Sequence, residues 1–181
     1  MGGFIAQLYA SMYPTKASGI ILADTEAYTD ISAILDKFEE IGGPEIKKIA
    51  YDNYYNPSEE VMKNFFEKCV SLGSNNPLPL SWLDRTILSP HVSSHFKKEL
   101  VTFDILNNLS DIVAPVLYLT STTNPWHLYE SAKKTAAAMI NTEVKLIAYE
   151  NCGIITMDKK EEALKDIEVF IKEKYLKHKN V

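Results

Sequence analysis

A histidine in a predicted turn is the side chain in this sequence best suited to acid–base chemistry. His127 follows Asn124 by three residues and precedes a predicted helix. Imidazole exchanges protons near neutral pH, as a general base must. A polar side chain in such a turn is more often solvated or caps the helix. We therefore treat His127 as a candidate base without assigning it a role.

The residues that commonly bind metals do not form a recognisable set. His91 and His95 are four residues apart and can share one face of a helix. A zinc site would need further ligands, which the sequence does not offer at a suitable spacing. Cys69 and Cys152 lie far apart, which predicts free buried thiols and no disulfide. We expect no metal and no cofactor.

The composition is typical of a globular protein. Of 181 residues, 46% are hydrophobic and 24% are charged, enough for one domain with a sizeable core. The formal net charge of -5 gives no excess of cations for binding phosphates, which argues against nucleic acid as a partner. No apolar stretch approaches the roughly 20 residues of a membrane helix, and the first residues lack the basic region of a signal peptide. We expect a cytoplasmic protein that does not bind membranes.

Apolar runs predict three strands and the helices that would position the polar side chains. The first run is almost wholly apolar, as in a parallel strand that is buried on both faces. Asp24 follows the first strand at its carboxyl end, where open α/β sheets place their ligand crevices. The predicted strands cover residues 18–23, 112–120 and 144–149, and the helices beside them cover 3–13, 129–139 and 158–175.

The segment between the first two predicted strands is long and helical. An amphipathic helix from Ile31 should end at Gly42-Gly43-Pro44, because this triplet is a strong stop signal. A second helix should start at Asn56, with Pro57 in its first turn. So long an excursion from a compact sheet is uncommon. We interpret residues 30–106 as a helical cap, in which Trp82, near Pro79, could line a pocket.

The first residues resemble the strand-turn-helix of the α/β-hydrolase family. Met1-Gly2-Gly3 opens a predicted helix, and the apolar run Gly19–Asp24 follows it. In that family a serine nucleophile stands on a sharp G-x-S-x-G turn just before this point. The resemblance places Met1 directly after the nucleophile, at an oxyanion-hole position. We therefore expect the C-terminal half of such a fold, without the serine.

The cap strengthens the resemblance, because it is similar to the lid of proline iminopeptidase-like hydrolases. Those lids follow the order glycine-proline-glutamate, helix, proline-containing turn, helix. The same order is found here in Ile41–Ile46, Tyr54–Glu60 and Phe65–Cys69, and it continues through His91, His95 and Phe96.

Two further positions of the catalytic triad depart from the family pattern. Asn124 stands where the resemblance expects the aspartate after the second strand, and Ile154 stands where it expects the histidine after the third. An amide cannot carry the negative charge that stabilises an imidazolium. Isoleucine has no proton to exchange. The resemblance therefore implies a degenerate triad.

These observations predict a truncated α/β-hydrolase sheet of about three parallel strands, with flanking helices and an inserted helical cap. Residues 1–29 and 107–181 would form the core, and residues 30–106 the cap. A sheet cut in this way leaves the first helix and the first strand uncovered, and an open strand edge pairs readily with another chain. We expect a homo-oligomer, or a completing partner chain, at that helix and strand.

The expected function is that of a non-catalytic hydrolase relative, either a binding or assembly protein or the product of a broken gene. The alternative is an active hydrolase or aminopeptidase-like enzyme that acts on a small ester, amide or aminoacyl substrate beneath the cap. It would need a nucleophile from elsewhere and an unconventional base such as His127. A fragment of a longer protein is a third possibility, in which Asn124 and Ile154 would still leave the triad incomplete.

Overall fold

Within residues 1–76 and 80–176, which the computed structural model describes, three parallel strands form one sheet. They are β1 (Ile20–Ala23), β2 (Val116–Ser121) and β3 (Val144–Tyr149), side by side in that order. All six side chains of the central strand β2 are buried. This confirms the predicted three-stranded parallel sheet, whose third strand has the predicted bounds.

Seven α-helices of the described residues surround or extend from this sheet. They are α1 (Gly2–Met12), α2 (Ile31–Tyr55), α3 (Glu59–Lys68), α4 (Pro90–Thr102), α5 (Tyr129–Ala138), α6 (Ile155–Asp158) and α7 (Lys160–Ile171). Among them, none combines the length and the apolar character needed to cross a membrane.

Helices pack on both faces of β2. On one face, α1 and α5 pack in the same apolar cluster as Val116 and Tyr118. On the other, α7 contributes Phe170 to the cluster that contains Leu117 and Leu119. Alternate side chains of β2 thus enter opposite layers, as the two-residue period of a strand requires.

Helices α2, α3 and α4, which lie between β1 and β2, form the part that we call the cap. Trp126, from the loop after β2, joins this apolar cluster: its ring centroid lies 5.5 Å from that of Phe38 and 6.4 Å from that of Phe65. The cap therefore packs on the sheet through an aromatic side chain of the core. Its buried residues are Ile31, Ile34, Leu35, Phe38, Ile49, Ala50, Phe65 and Cys69.

Backbone pairing joins the two ends of the inserted segment. Tyr28 and Asp104 form an isolated antiparallel bridge, and the Ile105 N–H donates to the Ala27 carbonyl at 2.9 Å. The chain thus leaves the sheet and returns to it at neighbouring points. The boundaries at residues 30 and 106 remain predictions.

The first cap helix differs from its prediction because it continues past its expected end. The backbone breaks at Gly43, with φ 81° and ψ -178°, yet α2 resumes and runs to Tyr55. Pro44 is tolerated there because a proline fits the first turn of a helical segment. The next helix start is also shifted: Ser58 caps α3, its hydroxyl accepting from the Val61 N–H at 3.1 Å.

The last predicted helix, residues 158–175, is interrupted in the structure. The short α6 ends at Asp158, Lys159 has a non-helical φ of -136°, and α7 then runs to Ile171. A π-helical turn, Lys172–Leu176, follows. The Asp158 carboxylate accepts hydrogen bonds from the preceding loop, which favours a separate turn over one continuous helix.

Helix α1 exposes more apolar surface than a core helix would. Ile5 is 61% exposed and Met12 60%, and Tyr9 is also exposed. On the neighbouring strand β1, an edge of the described sheet, Ile21 is 40% exposed. Only one side of α1, which includes Phe4 and Ala10, is buried against the rest of the chain.

Candidate functional site

The carboxyl ends of the strands meet at the side chain of Asp24. One carboxylate oxygen accepts from the Ser121 N–H at 3.0 Å and from the Ser121 hydroxyl at 2.5 Å. The other accepts from the Ile155 N–H at 3.1 Å. Burial raises the pKa of Asp24, while these hydrogen bonds and the charge of His127 oppose the rise. Asp24 thus ties β1 to the end of β2 and to the loop after β3.

Asn124, at the expected position of the triad acid, shapes the loop after β2. Its side chain is buried, and its amide oxygen accepts from the Trp126 N–H at 2.8 Å and from the His127 N–H at 3.1 Å. Asn124 therefore holds a local turn through its own side chain. It also lines a cavity of about 300 Å³ together with Asp24, His127 and Ile154. We call this space the strand-end cavity.

The loop that carries Ile154 is held by Asp158. The Gly153 N–H and the Ile154 N–H donate to one oxygen of this carboxylate at 2.8 and 3.2 Å. The Ser74 hydroxyl and the Asn75 N–H donate to the other at 2.6 and 3.1 Å. Burial would raise the pKa of Asp158, but these donors outweigh it and lower the pKa to about 2. The loop is thereby fixed to the segment that follows α3.

His127 is paired with a glutamate that the sequence did not single out. Its Nδ1 lies 3.0 Å from a carboxylate oxygen of Glu26, whose side chain is only 4% exposed. The His127 side chain is 29% exposed. In the tautomer in which Nδ1 carries the hydrogen, Nδ1 donates to this carboxylate and Nε2 is free to accept a hydrogen bond. Glu26 follows Asp24 by two residues, and this position just after a predicted strand was the only feature of the sequence that could have identified Glu26 as a site residue.

A second cavity, of about 260 Å³, lies between the cap and the core. We call it the cap–core cavity. Both elements supply its walls, and His127 and Trp126 border both cavities. Its apolar lining consists of Phe4, Ile34, Phe65, Phe96, Leu100 and Trp126. Its polar lining consists of Glu26, Thr29, Asn53, Tyr54, Lys97 and His127.

Lys97 of α4 contributes a side-chain ammonium group to this cavity. Its Nζ donates to the Asn53 side-chain oxygen at 2.8 Å and to the Asn53 carbonyl, and lies 5.8 Å from the centroid of the Tyr54 ring. Burial lowers the pKa of Lys97 to about 8. Burial, followed by the charge of Glu26, raises the pKa of Tyr54, which keeps this phenol neutral.

The structure divides the predicted site residues between the two cavities. Asn124 and Ile154 line the strand-end cavity, Met1 lines the cap–core cavity, and His127 reaches both. Met1 is 66% exposed, and its carbonyl accepts from the Ile5 N–H at 3.3 Å. The expected oxyanion-hole position thus borders the cavity that contains the Glu26–His127 pair.

The other candidate residues lie apart from these cavities. His91 and His95 are exposed on α4, with ring centroids 4.8 Å apart. Cys69 is buried in the cap and Cys152 beside the sheet, and burial raises the pKa of each thiol to about 12. Across residues 1–76 and 80–176, no group of three or more histidine, cysteine or acidic side chains is placed to hold a metal. Pro79 and the Trp82 side chain lie outside the described part.

The chain resembles solved structures of α/β-hydrolase fold proteins. No protein-family model matches it, and no curated protein does. MenH from S. aureus has 23% identity and a TM-score of 0.62 over 95% of this chain and 65% of its own. An alpha/beta fold family hydrolase from Bacillus anthracis str. Sterne has 13% identity and a TM-score of 0.61, over 91% of this chain and 62% of its own. MGS-M2, an alpha/beta hydrolase enzyme from a Medee basin deep-sea metagenome library, has 22% identity and a TM-score of 0.57, over 92% of this chain and 60% of its own.

These similarities show the fold. At such low identity they assign no substrate or activity to this chain. The chain spans less than two thirds of the length of each of these three proteins.

Proposed function

We propose that this α/β-hydrolase-fold chain binds a small molecule between its cap and its core and does not act through a Ser-His-Asp triad. The cap–core cavity carries the proposal. Ligand sites are typically concave and mainly apolar, with a few polar groups that fix orientation. This cavity combines aromatic walls with Lys97, Glu26 and His127.

The two triad positions within the chain support the non-catalytic part of the proposal. Asn124 uses its amide oxygen to hold the backbone of its own loop. Ile154 offers no group for proton transfer, and its loop is fixed by Asp158. A triad would need a carboxylate and an imidazole at these places.

Filling the cavity tests the binding proposal. The probe is 3-phenylpropanamide, a neutral molecule with one aromatic ring, titrated into the protein by isothermal calorimetry. Leu100→Trp should abolish saturable binding, because a larger side chain would occupy the cavity that Leu100 lines. Val101→Trp is the matched control on the same helix, since Val101 is 41% exposed. Equal binding to both variants, or none to the unmodified chain, would contradict the proposal.

The Glu26–His127 pair favours the alternative, an active hydrolase with an unconventional base. A buried carboxylate beside an imidazole can orient the ring and stabilise its protonated form. This function would still need a nucleophile. Turnover of p-nitrophenyl acetate that disappears in His127→Ala and persists in His95→Ala would support it. His95 is the control because it is exposed and does not line the cavity. Turnover unchanged in His127→Ala would exclude this base.

A further inference from the structure

Lys97 borders the cap–core cavity without a carboxylate to balance its charge in the described residues. Its Nζ contacts are the two Asn53 oxygens and the Tyr54 ring, all of them formally neutral. The Glu26 carboxylate, which lines the same cavity, is paired with His127. No ion pair of Lys97 occurs within residues 1–76 and 80–176, although several other lysines have one.

A partly buried ammonium group of this kind favours an anion. Charged groups removed from water are normally paired, because burial of an isolated charge is costly. Lys97 is half-buried, whereas the next residue, Lys98, is exposed. Two of the three N–H donors of the ammonium group can serve the two Asn53 oxygens, which leaves one for a ligand.

We propose that the cap–core cavity selects a small carboxylate with an apolar body, and that the Lys97 ammonium group receives the carboxylate. The proposal rests on the proposed binding function and specifies its ligand class. A carboxylate both neutralises an ammonium group and accepts a charge-assisted hydrogen bond from it.

A second polar group of the cavity suits the same ligand. The Thr29 hydroxyl oxygen is buried and has no hydrogen-bond partner among the described residues, and Thr29 lines this cavity. A buried hydroxyl without a partner is unfavourable, and rotation of the Thr29 side chain toward the cavity would let a ligand oxygen satisfy it. Thr29 can donate a hydrogen bond to either a carboxylate or an amide oxygen. It would therefore strengthen the binding of both ligands and would not distinguish the charged ligand from the neutral one.

The apolar walls and the volume define the rest of the ligand. Phe4, Phe65, Phe96 and Trp126 supply aromatic surface. The cavity volume of about 260 Å³ exceeds the ~150 Å³ of a protein cavity that holds benzene. A phenyl ring with a short acyl chain therefore fits the available space, and 3-phenylpropanoate is a suitable probe.

The experiment compares 3-phenylpropanoate with 3-phenylpropanamide, its neutral counterpart of nearly equal shape. Dissociation constants are measured by calorimetry at neutral pH for the unmodified chain, Lys97→Met and Lys98→Met. The carboxylate should bind about tenfold more tightly than the amide, as expected for a hydrogen bond to a charged group. Lys97→Met should remove this preference and leave amide binding within about twofold, whereas Lys98→Met should keep both values.

The ratio of the two affinities separates charge selection from a structural role of Lys97. Loss of the Asn53 contacts alone would weaken both ligands alike and leave the preference intact, which would overturn the proposal. Equal binding of both ligands to the unmodified chain would also overturn it, while the proposed binding function would stand. Binding of neither ligand would contradict both. If Lys97→Met does not fold, Lys97→Gln replaces it and should likewise lose the preference.

Discussion

The two cavities use their polar side chains differently. Around the strand-end cavity and in the loop that carries Ile154, Asp24, Asn124 and Asp158 accept hydrogen bonds from backbone N–H groups and so hold loops in place. Around the cap–core cavity, Lys97 has no carboxylate partner and the Thr29 hydroxyl has no hydrogen bond within the described residues. Side chains engaged by the backbone stabilise the fold, and those with remaining hydrogen-bonding capacity can bind a ligand. The ligand site is thus expected beside the cap, away from Asn124 and Ile154.

The largest expected effect concerns the backbone contact beside the strand-end cavity. A Cβ on Gly153 would collide with the carbonyl oxygen and carbonyl carbon of Gly73. Both are backbone atoms, which cannot move aside as a side chain can. Gly153→Ala should therefore destabilise the protein by about 2–3 kcal/mol, the upper part of the usual range for overpacking. Gly2→Ala is the control, because a Cβ there would meet open space. Urea denaturation measures the difference, and equal stabilities would show that this loop is not tightly held.

The next effect concerns Asp158 and its dependence on pH. The folded-state pKa is lowered from 3.8 to about 2, so the ionised carboxylate stabilises the fold above pH 3.8. This stabilisation should decline as the pH falls through the folded value near 2. Asp158→Asn should cost about 1–2 kcal/mol near neutral pH, after allowance for solvent screening.

Urea denaturation at several acidic pH values checks this prediction. The difference between the unmodified chain and Asp158→Asn should shrink toward low pH. Asp111→Asn, at an exposed position, should leave stability unchanged at every pH. A constant difference for Asp158→Asn would mean that its charge does not hold the loop.

A smaller effect should appear in the pH dependence of carboxylate binding. The pKa of Lys97 is about 8, so the ammonium group is present below this value and is lost above it. Affinity for 3-phenylpropanoate should be level from neutral pH up to about pH 8 and fall above it by about tenfold in total, as the ammonium group is lost. Affinity for 3-phenylpropanamide should stay level.

Other titratable groups near Lys97 require a control. Tyr54, Glu26, His127 and Met1, which carries an α-amino group, face the same cavity. Burial raises the pKa of Tyr54, which keeps it neutral throughout this range. If Lys97 causes the loss of affinity, Lys97→Met should bind 3-phenylpropanoate weakly at every pH. A persisting decline in that variant would assign the titration to another group.

The sequence predicted the sheet well because short, mainly apolar runs between turns leave a local signal. The run Val144–Tyr149 is apolar apart from Lys145 and has the same bounds in the structure, although only Tyr149 of its side chains is buried there. Asn124 and Ile154 could likewise be located, since each follows a strand closely. The sequence also predicted the break in the helix at Gly43, but it did not predict that α2 continues beyond this residue.

The cap–core cavity could not be derived from the sequence. Lys97 and Glu26 are distant in the chain, and only the packing of the cap on the core places both beside one cavity. Neither residue stands in a recognisable motif, and Lys97 is one of several lysines on helices. Only the packing distinguishes it from exposed Lys98.

The predicted oligomer at α1 and β1 stays a prediction. The exposed side chains of α1, among them Ile5 and Met12, are consistent with a covered face. Ile5→Lys should shift an oligomer to the monomer mass in light scattering, with little effect on the stability of the single chain, because Ile5 is 61% exposed. Lys16→Glu, a polar change just after α1, should leave the mass unchanged. A monomeric mass for the unmodified chain would contradict both the homo-oligomer and a stable complex with a copurifying partner.

The most direct test of where the ligand binds is to fill each cavity in turn and titrate 3-phenylpropanoate. Leu100 lines the cap–core cavity and Thr156 lines the strand-end cavity, so Leu100→Trp and Thr156→Trp form a matched pair. We predict that Leu100→Trp abolishes binding and that Thr156→Trp retains the affinity of the unmodified chain. Binding that is retained in Leu100→Trp and lost in Thr156→Trp would place the ligand at the strand ends and contradict the account.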